Sequence, residues 1–229
     1  NPVEVQVKSG QTATVNFENI RKLGVITVQK VNGRPLMGDY SLAGAEFSVK
    51  DQNGKLVDTI VTGPNGAGQS KPLPLGRYTV TEAKAPYGFV IDKTVYSRTL
   101  SGSQGTAAIV YCPEITVSEQ PQTGRVKITK QDAETAEQAQ GDATLSGAVF
   151  ELLDGSGELV ERLYCGDEKS VTSKELPLGS YTVREAVPPH GYTLSQKEYA
   201  VSVDYAGQEA EVSLKSVDMQ NKVIKGQLA

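Results

Sequence analysis

Hydrophobic and polar residues alternate with a period of two along most of this chain. Residues 26–30, 78–82 and 211–214 show the alternation clearly and are rich in β-branched or aromatic residues, which is typical of half-buried strands. Turn sequences such as DQNG at 51–54 and DGSG at 154–157 separate the alternating stretches. No stretch sustains a helical period. The pattern therefore predicts an all-β chain built from Ig-like β-sandwiches with short strands.

The sequence repeats itself at the scale of a whole domain. Residues 42–89 and 145–192 share the pattern LxGAxF followed by LPLGxYTVxEAxxPxGF or its GY variant, at a constant offset of 103 residues. A repeat of this length corresponds to a domain and is too long for a solenoid unit. We therefore expect two sandwiches in tandem.

Three short segments each end five positions before a glycine. They are residues 15–19 before Gly24, residues 117–119 before Gly124 and residues 217–221 before Gly226. We interpret them as copies of one terminal strand. The predicted units are residues 1–24, the end of a preceding, truncated module, residues 25–123, the first complete sandwich, and residues 124–229, the second. No Gly/Ser tract joins the modules, which predicts a fairly stiff array.

Composition excludes several classes of function. The 229 residues carry a net charge of −4, and the basic residues are dispersed, so nucleic acid is not an expected partner. No apolar run approaches the roughly 20 residues that a membrane helix needs. We therefore expect no membrane segment within this chain.

Histidine and cysteine are scarce. His190 is the single histidine, and it lies in a Pro-Pro-His-Gly turn, so neither a metal site nor a Ser-His-Asp arrangement is expected. Cys112 and Cys165 lie in different repeats without matching cysteines. Two separate thiols are the favoured interpretation, although a disulfide remains open at this point. We predict no metal, no cofactor and no enzyme with turnover.

Matched positions in the repeats carry potentially reactive side chains. The lysines end the first strand and the glutamates follow the YTV motif: Lys30, Lys130, Glu82 and Glu185. Only the second complete module also has an asparagine in its terminal strand, Asn221, because Glu119 takes that position in the first. Asn19 is assigned to the truncated module. The two complete modules therefore differ in one member of a possible site.

These motifs together resemble the Cna protein B-type domains, also called SpaA-type, of Gram-positive pilins and surface adhesins. The resemblance covers both modules and the leading strand. It implies a prealbumin-like β-sandwich, often locked by a self-made amide bond between the lysine and the asparagine, with the glutamate promoting the reaction. Such domains build pilins and the stalks of adhesins.

Strand parity supports this chemistry in the second module. Alternation places Lys130, Glu185 and Asn221 on the same faces as apolar neighbours, so all three are expected to point inward. Burial lowers the pKa of a lysine, to about 5 to 6 in documented cases, and leaves a neutral, nucleophilic amine. We expect Lys130 to attack the Asn221 amide while a protonated Glu185 binds the amide oxygen and relays protons. A buried Lys130–Glu185 ion pair capped by Asn221 is the alternative.

The first module departs from that pattern. Lys30 and Glu82 are present, but a carboxylate such as Glu119 is a poor acylation partner and a good salt-bridge partner. We therefore expect these three side chains to lie together without a covalent bond.

These features favour a structural stalk on the outside of a Gram-positive cell, with the cell-wall anchor encoded outside this fragment. Neighbouring tandem modules are the expected partners, and any host or matrix protein would bind through other parts of the full-length protein. The alternative is a ligand-binding adhesin module that itself recognises a host or matrix protein. A hydrolytic enzyme is disfavoured because the sequence shows no nucleophilic side chain combined with a general base.

Overall fold

The computed structural model describes residues 3–102 and 107–226, so residues 1–2 and 227–229 at the outer limits of the predicted units lie outside it. The described residues are almost entirely β, with one short 3-10 turn at Pro35–Met37. The strands before the midpoint are β1 Leu23–Val25, β2 Thr27–Asn32, β3 Glu46–Asp51, β4 Leu56–Val61, β5 Ala67–Gln69, β6 Leu73–Pro74, β7 Gly76–Lys84, β8 Phe89–Val90, β9 Tyr96–Leu100, β10 Ile109–Tyr111 and β11 Ile115–Pro121. Those after it are β12 Thr123–Asp132, β13 Val149–Asp154, β14 Leu159–Tyr164, β15 Ser170–Thr172, β16 Leu176–Pro177, β17 Gly179–Val187, β18 Tyr199–Val203 and β19 Val212–Asn221.

Each module is a sandwich of two sheet layers. In the first module an antiparallel sheet in the order β4-β3-β7-β9 faces a layer made of β5-β2-β11-β8 and β10-β1-β6. In the second, β14-β13-β17-β18 faces a layer in which β12 pairs with β15, β16 and β19. The prediction of an all-β fold with tandem sandwiches is confirmed.

The first and last strands of each module are parallel neighbours. β2 pairs with β11 in the first module, and β12 pairs with β19 in the second, where the register joins Thr123 to Val212 and Asp132 to Asn221. Parallel pairing of strands so far apart in sequence places an early strand of each module beside its last strand, so the chain enters and leaves the module at opposite ends of this pair.

Alternation along these strands builds the cores. Val126 and Ile128 of β12 are fully buried beside Val183 of β17 and Met219 of β19. The first module repeats the arrangement with its own apolar cluster, which includes Ile26, Val28, Val80 and Val117. Polar residues that continue the inward faces of these strands are therefore carried into the core.

The module junctions lie close to the predicted boundaries. β1 begins at Leu23 and β12 at Thr123, one or two residues before the predicted starts of the sandwiches. Residues 3–22 form no strand, so the stretch 15–19 does not have the strand conformation expected of it. A strand needs a neighbour for its backbone hydrogen bonds, and alternation alone does not provide one. The assignment of this segment to a preceding module stays a prediction.

Cys112 and Cys165 are both free thiols, the first half-buried in one module and the second buried in the other. None of the helical structure in residues 3–102 and 107–226 is long and apolar enough to cross a membrane.

Candidate functional site

Three strands bring Lys130, Glu185 and Asn221 together in the core of the second module. Lys130 lies opposite Met219 in the parallel β12–β19 register, so Asn221 follows two residues later on the same inward face. Glu185 comes from β17 in the facing sheet. The three residues are 1%, 6% and 2% exposed, so the site is closed to bulk water.

The lysine amine points directly at the asparagine amide. Lys130 Nζ donates a hydrogen bond to Asn221 Oδ1 and another to the Met219 carbonyl oxygen at 3.2 Å. The amine therefore contacts the carbonyl group that it would have to attack.

Glu185 bridges the two partners. Its Oε1 lies 3.5 Å from Lys130 Nζ, and its Oε2 accepts a hydrogen bond of 2.6 Å from Asn221 Nδ2. The expected contact between Glu185 and the amide oxygen is thus not the one observed, because the amide oxygen faces the lysine and the amide nitrogen faces the glutamate. This places the carboxyl group beside the nitrogen that would leave.

Backbone groups that sequence reasoning missed hold this arrangement. The Ser195 N–H donates to Glu185 Oε2 at 2.8 Å, and Asn221 Nδ2 also donates to the Thr193 carbonyl oxygen at 2.8 Å. Both come from the loop after β17, where no periodicity marks them. The matched Asp92 N–H donates to Glu82 Oε2 at 2.7 Å in the first module, so only the repeat itself signals the position.

Burial dominates the electrostatics of Lys130. Loss of solvation lowers the pKa of this lysine, while attraction to the Glu185 carboxylate opposes the shift. Glu185 Oε1 is buried and accepts no hydrogen bond from any described residue. An amine whose pKa is lowered by burial, beside a carboxyl oxygen with free acceptor capacity, is suited to proton transfer.

The first module assembles the matching residues with different chemistry. Lys30 Nζ donates to Glu82 Oε1 at 2.5 Å and to Glu119 Oε1, and it lies 5.1 Å from the centroid of the Phe47 ring. Asn32 pairs with Glu119 in the β2–β11 register, as Asp132 pairs with Asn221 in the second module. Glu119 therefore occupies the structural position of Asn221.

The two carboxyl groups in the first module are poorly solvated. Burial raises the pKa of Glu119 to about 7, despite the lowering effect of Lys30. Burial also raises the pKa of Glu82, again against the effect of Lys30. Glu119 Oε2 accepts no hydrogen bond among the described residues. One amine between two buried carboxyl groups is an ion-pair cluster.

The remaining candidates lie outside these clusters. Asn19 is exposed in the segment without strands, and His190 is exposed in the turn after β17. Within the described residues, no group of three or more His, Cys, Asp or Glu side chains is placed to hold a metal ion.

Comparison with known proteins gives three similarities to report. The trypsin-resistant surface T6 protein of Streptococcus pyogenes serotype M6 is 38% identical over 58 residues, which is 25% of this chain and 11% of that protein. The structure of the Bacillus anthracis TIE protein superposes with a TM-score of 0.69 at 24% identity, covering 89% of this chain and 34% of that one. A C-terminal fragment of the pilus adhesin SpaC from Lactobacillus rhamnosus GG matches with a TM-score of 0.47 at 18% identity, covering 89% of this chain and 99% of the fragment.

The chain thus spans 11% of the T6 protein and 34% of the TIE protein, and the likeness to the TIE protein shows the fold alone. The SpaA prealbumin-like fold domain matches two segments, residues 24–111 and 124–218, which together make up most of the chain. Each segment lies within one sandwich, and β11 of the first module and Asn221 of the second lie outside the matched residues. The protein belongs to the SpaA family of prealbumin-like fold domains.

Proposed function

We propose that this chain is a stalk segment of a Gram-positive surface protein and that its second module is locked by an amide bond between Lys130 and Asn221. The observation that carries the proposal is the contact of Lys130 Nζ with Asn221 Oδ1, with Glu185 bridging both residues inside a closed core. Surface placement is supported by family membership and by the similarity to a streptococcal surface protein.

The reaction is a single acyl transfer. Neutral Lys130 Nζ attacks Asn221 Cγ, the Nζ–Cγ bond forms, the Cγ–Nδ2 bond breaks, and ammonia leaves. One proton must move from Nζ to Nδ2 for the atoms to balance. Glu185 is placed for that transfer, since one of its oxygens faces Nζ and the other faces Nδ2. The event happens once per molecule, so it is a maturation step.

The first module is proposed to stay non-covalent. The Lys30 amine contacts two carboxyl groups and no amide, and a carboxylate is a poor electrophile for an amine. Glu119 also has no amide nitrogen that could leave as ammonia, as Asn221 has. Lys30, Glu82 and Glu119 therefore serve as a buried ion-pair cluster.

The bond would give the second module its mechanical role. Lys130 lies on the first strand and Asn221 on the last, so tension along the chain enters and leaves the module at the two cross-linked strands. Force would then bypass the sheets between them. A stalk that holds another part of the protein away from the cell benefits from modules that do not extend.

Intact mass spectrometry tests the bond. The purified chain should lack the mass of one ammonia molecule, and peptide mapping should join the segments that contain Lys130 and Asn221. Replacing Glu185 with alanine should restore the missing mass. A wild-type chain of full mass would leave the Lys130–Glu185 ion pair as the correct description.

Force spectroscopy tests the stalk function. Under tension the second module should not lengthen, whereas the Glu185→Ala module should release the length of chain between its first and last strands. The competing function, an adhesin module, requires saturable attachment to a host or matrix protein. Such binding by this chain, together with extension of the wild-type second module, would contradict a stalk.

A further inference from the structure

The two modules are joined through a glutamine that is fully buried at their junction. Gln122 N donates to the Gly88 carbonyl oxygen of the first module at 2.7 Å. Its side chain enters the second module, where Nε2 donates to the carbonyl oxygens of Gly207 at 2.9 Å and Ala210 at 2.5 Å. Oε1 accepts a hydrogen bond of 2.6 Å from Ala206 N. One linker residue is thus bonded to both modules.

The loop that receives Gln122 also covers the end of the first module. Gln208 accepts hydrogen bonds from two backbone groups there, Ala85 N at 3.0 Å through its side chain and Ile91 N at 2.9 Å through its carbonyl oxygen. Tyr87 and Tyr205 place their rings 4.8 Å apart across the same junction. These contacts leave Ala85 buried and Ile91 half-buried.

The far end of the second module is formed by residues 188–194 and 222–226 and is called here the outer end. It repeats the backbone hydrogen bond by which the linker contacts the first module. Ile224 N donates to the Gly191 carbonyl oxygen at 2.8 Å, just as Gln122 N donates to Gly88. Ile224 is 62% exposed, however, and Leu194, which matches Ile91, is 41% exposed. The outer end has the backbone of a junction and an uncovered apolar surface.

The glycine after each terminal strand gives an independent indication. A side chain at Gly24 would lie 2.8 Å from Leu100 Cδ1, and one at Gly124 would collide with Val203. In both cases the module that follows has no room for a side chain at the glycine position. A side chain at Gly226 would meet nothing within 4 Å among the described residues. Gly226 thus takes the position at the outer end that Gly24 and Gly124 take at the other two junctions.

We propose that the outer end is the docking surface for a further β-sandwich module of the same family, following Gly226 in the chain. The side chain at the position of Gln122 and Ile224 selects which module docks. Gln122 suits a loop that offers two carbonyl groups and one N–H, whereas Ile224 would leave such groups unpaired. The module after Ile224 must therefore present an apolar pocket at this loop. Pro188 takes the place of Ala85 and has no backbone N–H. The partner module therefore needs no side chain to accept a hydrogen bond there, as the Gln208 side chain does from Ala85 N at the first junction.

This inference rests on the tandem arrangement in the proposed function but not on the amide bond. The test extends the whole chain in frame after Gly226 with a second copy of residues 125–226, which carries the polar 206–210 loop. One version keeps Ile224 and the other carries Ile224→Gln. Hydrogen exchange at Leu194 N–H reports docking, because its counterpart Ile91 N–H is bonded in the first junction. Exchange within the strands of the appended copy verifies that it has folded.

Selection by the linker predicts a difference between the two versions. Ile224→Gln should slow exchange at Leu194 about fivefold to tenfold, since a formed hydrogen bond contributes roughly 1 kcal/mol, while the Ile224 version should exchange like the original chain. The reverse change, Gln122→Ile in the original chain, should speed exchange at Ile91 by a similar factor, and Gln220→Ile on the exposed side of β19 should not. Equal protection in both extended versions overturns selection, and protection in neither overturns docking. The mass of the same samples reports the amide bond separately.

Discussion

Lys130 and Asn221 lie 91 residues apart in the sequence, and the Lys130 amine donates a hydrogen bond to the Asn221 amide oxygen across two parallel strands. The first and last strands of the second module are therefore in direct contact through reactive groups. Glu185 touches both groups from the opposite sheet. A bond at this point would close nearly the whole module into one covalent loop.

Replacing Glu185 with glutamine should block the bond and lower stability. The substitution keeps the size of the side chain but removes the carboxyl group that transfers the proton. Without the cross-link, the second module should lose about 4 to 5 kcal/mol of its free energy of unfolding, the chain-entropy value for a loop of this length. Denaturant unfolding combined with intact mass measures both effects.

The first module supplies the matched control for that experiment. Glu82 occupies the position of Glu185, and its Oε2 also accepts a backbone hydrogen bond. Glu82→Gln should leave the deficit of one ammonia, measured against the mass calculated from the variant's sequence, unchanged, because no bond is expected in the first module. A stability loss in the Glu185 variant without a gain of one ammonia mass would mean that the glutamate acts only through its ion pair.

Cys165 should be replaceable by threonine with little cost. Its counterpart Thr62 donates from Oγ1 to the Leu42 carbonyl oxygen at 2.7 Å, and the Cys165 thiol faces the matching Leu145 carbonyl oxygen at 3.9 Å. Threonine at 165 should therefore change the free energy of unfolding by less than about 1 kcal/mol. Thr62→Val should cost about 1 to 3 kcal/mol, since it leaves the buried Ala45 N–H without its side-chain acceptor. Equal costs for the two variants would contradict this interpretation.

Much of the fold and of the candidate site could be predicted because both depend on strand parity. The period-two alternation that buries Ile128 also buries Lys130 two residues later, and the same holds for Val183 and Glu185. Parity specifies the face of a residue but not the atoms it contacts. It could not show that Glu185 binds the nitrogen of the Asn221 amide and not its oxygen.

The features that escaped prediction depend on loops and on contacts between modules. The N–H of Ser195 lies in a loop whose backbone shape no periodic pattern encodes. Gln122 looks like an ordinary polar residue at a strand end, and its burial arises only when the second module packs against it. Residues 15–19 have a local pattern that suits a strand but no neighbouring strand to pair with in the described structure, so their assignment to a preceding module stays a prediction.

The first module should lose stability as the pH rises. Burial raises the pKa of Glu119 from 4.5 to about 7 in the folded state. Between these values the folded module binds more protons than the unfolded chain, so the free energy of unfolding falls with increasing pH. The stabilising contribution is fully present below pH 4.5 and is lost as the pH passes through about 7. Hydrogen exchange in β2 and β11 at pH 5 and pH 8 measures the change for this module alone.

Glu119→Met provides the control, since methionine has a similar length and does not titrate. The decrease in stability between pH 5 and pH 8 should be smaller in this variant. Part of the dependence should remain, because burial also raises the pKa of Glu82. An unchanged pH dependence in the methionine variant would show that Glu119 does not control it.

Glu119→Gln should create a second amide bond in the first module. The glutamate already contacts Lys30 Nζ, as Asn221 contacts Lys130 Nζ, and it occupies the same position in the parallel register. Glutamine keeps the length of the side chain, removes one negative charge from the cluster and supplies an amide nitrogen that can leave as ammonia. Glu82 remains within 2.5 Å of Lys30 Nζ to accept a proton. The variant should therefore lack the mass of two ammonia molecules where the wild type lacks one.

The double variant Glu119→Gln with Glu82→Ala separates chemistry from proximity. It keeps the lysine and the new amide but removes the carboxyl group, so the second mass loss should disappear. Peptide mapping should place the new cross-link between the segments that contain Lys30 and residue 119. If Glu119→Gln alone shows no second deficit while the second module remains cross-linked, an amide within reach of a buried lysine is not sufficient. The reaction would then also need the hydrogen bonds that Glu185 and the Thr193 carbonyl group make to the leaving nitrogen of Asn221.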